Sequence, residues 1–67
     1  MYNAKKVGEK LLALRGNTPR EQIASAVNIS VSALAMYEFG ERTPRDEVKL
    51  ALAQYYGCSV GELFFEQ

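Results

Sequence analysis

An enzyme that activates a nucleophile needs a base beside it, and this chain has no His and one cysteine, Cys58, to offer. It carries no glycine-rich phosphate loop. No two carboxylates stand in an apolar setting that would separate an acid from a base. Catalysis is not expected. Cys58 directly follows Gly57 and reads as a small core residue, because free cysteines are among the most buried side chains. Anion binding is what the residues do offer. Arg20 stands where a helix opens, so its charge adds to the unpaired backbone N–H groups of that terminus.

Sixty-seven residues form one domain over 1–67, and a core of this size supplies only roughly 3–5 kcal/mol. The chain must then be compactly helical or completed by a partner. A lone cysteine cannot form an internal disulfide, and without His no structural metal site or other cofactor is expected. No apolar run of about 18 residues occurs, so a soluble, reduced, cytoplasmic protein is expected, with no membrane partner. Eight basic and eight acidic residues cancel, whereas a nucleic-acid binder is expected to be basic. The distribution softens this. Lys5, Lys6, Lys10, Arg15 and Arg20 face only Glu9 in residues 1–20, and the rest of the chain is acidic on balance.

Periodicity predicts five short helices. Ala4, Val7, Leu11 and Leu14 share one face of a first helix over residues 3–14, with Gly8 marking either a close helix contact or the start of the helix. Thr18-Pro19-Arg20-Glu21 reads as a helix start, with Thr18 as cap, Pro19 in the first position and Glu21 reaching back. That second helix runs to about Val27. Ser30 caps a third, which Gly40 ends. Pro44 opens a fourth from about Arg45 to Tyr56, with Val48, Ala51, Leu52 and Tyr55 on one face and Leu50, Ala53 and Tyr56 in a second apolar stripe. Ser59-Val60-Gly61-Glu62 is a capping box before a fifth helix that carries Leu63, Phe64 and Phe65.

The stretch Arg20 to Phe39 organises the rest. Ile23, Val27, Ile29, Leu34 and Tyr37 fall at the inward offsets of a helix-turn-helix, Ala24 is the small residue where its two helices cross, and Asn28 sits at the turn. Asn replaces the more usual glycine there, which its short side chain permits in the left-handed region. From about Val7 to Phe64 the chain resembles the Cro and phage-repressor helix-turn-helix family, often called Xre.

That resemblance implies an all-α, five-helix lambda-repressor-like domain that binds double-stranded DNA. The family's base-reading positions fall on Val31, Ser32, Ala33 and Met36, and its phosphate contacts on Arg20, Ser30, Arg42 and Thr43. None of the first four can make the bidentate contacts of Arg to guanine or of Gln and Asn to adenine, so apolar contact with thymine methyls and the Ser32 hydroxyl remain. Arg45 and, one turn beyond, Lys49 extend the basic run, interleaved with Glu41, Asp46 and Glu47. By the same resemblance Arg15 pairs with Glu38, and exchanging their charges together is expected to do less harm than either exchange alone. Two features depart from the pattern. The link between the first two helices is shorter than usual, and Phe39 stands where the family commonly has a polar or basic residue.

Assembly follows from the apolar surplus. Phe64 and Phe65 close the chain with more aromatic surface than so small a core readily buries, so a homodimer through the fifth helix and the end of the fourth is expected, with Phe64 the nearer of the two to a core position. The expected function is a dimeric, sequence-specific transcriptional repressor on a roughly palindromic operator. Zero net charge and the thin third helix favour an alternative: a protein-interaction module of the same fold, such as an antitoxin or antirepressor.

Overall fold

The computed structural model describes residues 2–65, which are helical and contain no strand. Four α-helices, α1 (Ala4–Arg15), α2 (Arg20–Val27), α3 (Val31–Glu38) and α4 (Asp46–Tyr56), are followed by a short π-type helix, α5 (Gly61–Phe65). The architecture is the all-α, five-helix arrangement expected from the periodicity. Asn3 starts α1 by accepting the Lys6 N–H through its side-chain oxygen at 3.1 Å, and Ser30 starts α3 by accepting the Ala33 N–H at 3.0 Å. Before α5 the capping box is reciprocal: Ser59 Oγ accepts the Glu62 N–H and Glu62 Oε1 accepts the Ser59 N–H, both at 3.0 Å.

Three of the helices stop in the same way. After α2 the Ile29 N–H donates to Ala24 O at 2.9 Å and the Asn28 N–H to Ser25 O at 3.3 Å, the paired bonds of a Schellman stop. Asn28 therefore adopts φ 60 and ψ 49, the left-handed conformation expected of it. Gly40 and Gly57 repeat the motif after α3 and α4.

The start of α2 differs from the sequence reading. Pro19 occupies the cap position, no side chain caps the helix, and Arg20 is its first residue. The short link is the cause. It commits the Thr18 N–H to Arg15 O at 3.0 Å and the Thr18 carbonyl to Arg15 Nη1 at 2.9 Å, so Thr18 lies one residue too early to cap.

Leu11, Ile23, Leu34, Leu52, Leu63 and Phe64 form the centre of the core, completed by Val7, Tyr37 and Val48. Leu14 is not among them. The buried line of α1 runs Val7, Leu11 and then Arg15 in steps of four, which leaves Leu14 about 100° round the helix and exposed. On α4 the inward arc is Val48, Leu52 and Ala53 with Lys49, so Tyr55 and Leu50 point outward. Ile29 is only partly buried against the core. Phe64 is completely buried while Phe65 is 46% exposed. Phe64 is therefore a core residue and cannot present itself at a dimer surface.

Gly8 marks a close contact and not a helix start. It lies inside α1 where the backbone of α3 crosses, against the carbonyls of Tyr37 and Glu38. Among the described residues no helix is long and apolar enough to cross a membrane.

Candidate nucleic-acid interface

The Ser30 cap, the Asn28 turn and the inward anchors Leu34 and Tyr37 fix how α3 is presented. Val31 is 39% and Met36 40% exposed, and Ser32 is also exposed, so these expected base-reading positions form one outward strip. Ala33 sits differently. It is half-buried and packs against the core.

Behind this strip lies a cluster of three charges. Glu38 is buried and accepts from two arginines: Arg15 Nε stands 2.7 Å from Oε2, and Arg20 Nε 2.7 Å from Oε1. The Arg20 guanidinium also lies over the Phe39 ring, 5.2 Å from its centroid. Phe39, the departure noted in the sequence, thus supports the arginine at the start of α2. With its Nε edge held by Glu38, Arg20 has the outer edge of its guanidinium to offer a phosphate. The cluster ties the end of α1, the start of α2 and the end of α3 together.

The loop after α3 holds Arg42 and Thr43 exposed, and Arg45 is exposed with Glu47 3.9 Å away. Lys49 leaves this run. Its side chain is largely buried and its ammonium lies against the rings of Tyr2 and Phe65, 5.1 and 5.0 Å from their centroids, with Asp46 Oδ1 at 3.7 Å. The arc of α4 that carries Val48 and Leu52 inward also carries Lys49 inward, so it is not a surface cation.

A helix-turn-helix family model matches residues 9–63, most of the chain, with the Asn28 turn and the outward strip of α3 inside the matched span. The chain belongs to the Cro/C1-type, Xre-like helix-turn-helix family. Searches of curated proteins and of solved structures find no match. The Cro/C1-type family is one of DNA-binding regulators and not typically of enzymes, and this chain is a DNA-binding helix-turn-helix regulator.

The Cro/C1-type resemblance names one arginine for Glu38, and the second was missed in the sequence. A signal existed, since a buried carboxylate has two oxygens to satisfy and Arg20 lies only five residues beyond Arg15. The sequence places Tyr56 only in an apolar stripe, yet its hydroxyl is buried without a hydrogen-bond partner among the described residues. Desolvation first, and the Glu38 charge second, push its pKa from the ordinary 10.0 up to about 12. The unfolded chain would release this proton first, so the folded state loses relative stability as pH rises through that window and keeps it below pH 10.0. Tyr56→Phe is expected to raise stability by about 1 kcal/mol at neutral pH and to flatten the alkaline decline. Urea midpoints measured at pH 7 and above 10 check both, and a lower midpoint at pH 7 would refute the unpaired hydroxyl.

Proposed function

We propose that the chain is a sequence-specific transcriptional repressor that acts in the cytoplasm as a homodimer occupying a roughly palindromic operator. One observation carries this reading: the strip Val31, Ser32 and Met36 is exposed on a capped helix, with Arg20 held at the last residue of that helix and Arg42 exposed in the loop that follows. A helix so presented fits a major groove about 12 Å wide while α2 crosses the backbone. Arg42, Thr43 and the outer edge of Arg20 then serve as phosphate contacts. Ser30 joins them, because its oxygen accepts the cap bond and its own proton is left to donate.

Salt titration of binding to random and selected duplexes is the test, since DNA affinity falls linearly on a log–log plot as phosphates release counterions. Arg42→Ala is the cleaner variant, because Arg20 is also committed to Glu38. It is expected to weaken binding by a similar factor on both duplexes and to lower the slope by about one. An effect confined to the selected site would mean that Arg42 reads bases.

For the dimer, Phe65, 46% exposed at the end of the described chain, supplies the apolar surface. Subunits paired there would set half-sites about one helical turn apart. Phe65→Glu should give a folded monomer with much weaker operator binding, because the introduced carboxylate faces the Lys49 ammonium that now lies against the Phe65 ring. Sedimentation that finds the wild type monomeric at high concentration, and still monomeric on a two-fold symmetric site, would overturn the dimer. Zero net charge and the apolar outer face of α3 favour a second reading, a protein-interaction module such as an antitoxin or antirepressor. Binding to DNA that disappears at every salt concentration would select it.

A further inference from the structure

This inference rests on the DNA-binding reading and concerns what α3 reads. Leu34, Tyr37 and Glu38 are buried, Ala33 and Ala35 are half-buried, and only Val31, Ser32 and Met36 face outward. Ser32 is thus the sole polar side chain on the exposed face of α3. One hydroxyl can donate to or accept from several base edges, so it discriminates weakly, and no side chain of α3 can make a bidentate contact with a base. Val31 and Met36 gain only by removing apolar surface from water. On the major-groove edge of the bases the apolar feature is the C5 methyl group, carried by thymine and equally by 5-methylcytosine.

We propose that this chain selects its DNA by the pattern of C5 methyl groups in the major groove, so that 5-methylcytosine can stand in for thymine where Val31 and Met36 touch. The surroundings of the strip favour a groove over a protein partner. Arg20, bonded to Glu38, and the exposed Arg42 and Arg45 put three cations toward the C-terminal end of α3, so the apolar strip adjoins charge that suits a phosphate backbone. Glu21 and Glu41, also exposed, temper that field, which leaves more of the discrimination to the methyl contacts.

The test alters the DNA and leaves the protein as it is. A duplex selected by the wild-type protein from a random pool is resynthesised with uracil for thymine, which removes the C5 methyl groups and keeps every Watson–Crick pair. Affinities are compared by fluorescence anisotropy at one fixed salt concentration. Each contacted methyl lost should weaken binding roughly fourfold. Exchanging a contacted T·A pair for C·G should weaken it as well, and methylating that cytosine at C5 should recover most of the loss. Met36→Ala, at an exposed position, should shrink the ratio between the thymine and uracil duplexes. Equal affinity for those two duplexes overturns the inference and leaves DNA binding standing. If no duplex is enriched and random DNA shows no salt-dependent binding, the inference and the DNA reading fall together, and the apolar face is left to a protein partner.

Discussion

Glu38→Ala is expected to leave most of the protein unfolded at 25 °C. The carboxylate is buried and accepts from Arg15 and Arg20 at 2.7 Å each, so its removal strands two partly buried guanidinium groups beside each other. Breaking a buried pair by removing one partner typically costs about 3–5 kcal/mol, and a single core of this size holds roughly that much in total. The loss then consumes nearly all the stability. Circular dichroism in a urea series measures it, and a midpoint equal to the wild type's would sink the argument. Exchanging the charges of Arg15 and Glu38 together cannot restore the site fully, because an arginine at position 38 would meet Arg20. Inverting all three charges should recover more stability than inverting two.

The same cluster connects stability to recognition. Glu38 is the last residue of α3 and Arg20 the first of α2, so their bond fixes one end of the recognition helix against the helix expected to cross the backbone. Arg15 adds the end of α1. Neutralising either arginine should loosen the orientation of Val31 and Met36 without touching them.

Whatever local rules determine was legible in the sequence. Asn28 sits in the left-handed region, Ser30 and Ser59 cap, and Ile23, Leu34 and Tyr37 turn inward, because each follows from spacing and turn chemistry within a few residues. What failed depended on tertiary geometry. Leu14 and Tyr55 satisfied an apolar stripe, but the helices are rotated so that Arg15 and Lys49 take the inward side. Charged side chains are counted as outward by any hydropathy pattern, and here both find partners: the buried Glu38 for Arg15, and the Tyr2 and Phe65 rings for Lys49. Thr18 failed as a cap for a local reason, since the short link after Arg15 leaves Pro19 at the cap position and Thr18 one residue before it. Arg20 was expected at the surface and is also half of a buried bond.

Gly8→Ala is the other substitution with a large expected effect, and two opposing contributions set its sign. Within a helix, alanine is favoured over glycine by about 1 kcal/mol. Against this, a Cβ at position 8 would press into the Glu38 carbonyl oxygen and stand 2.9 Å from its carbon and 3.0 Å from the Tyr37 carbonyl oxygen. These are backbone atoms of α3 and cannot swing aside as a side chain could. The helix as a whole must move, and it carries Glu38 away from both arginines. Overpacking of this kind costs about 1–3 kcal/mol, occasionally more, and the strained ion cluster adds to it. Packing should therefore win, with a net loss of about 1 kcal/mol from these two contributions, a larger one as the ion cluster is strained, and a greater one still for Gly8→Val. Gly61→Ala is the control, since a Cβ there meets only the Ser59 hydroxyl at 3.8 Å and should leave the urea midpoint nearly unchanged. A Gly8→Ala midpoint at or above the wild type's would show that α1 and α3 are not in backbone contact. If the midpoint falls as expected, DNA affinity measured on the fraction still folded should fall too, because α3 carries its outward strip with it.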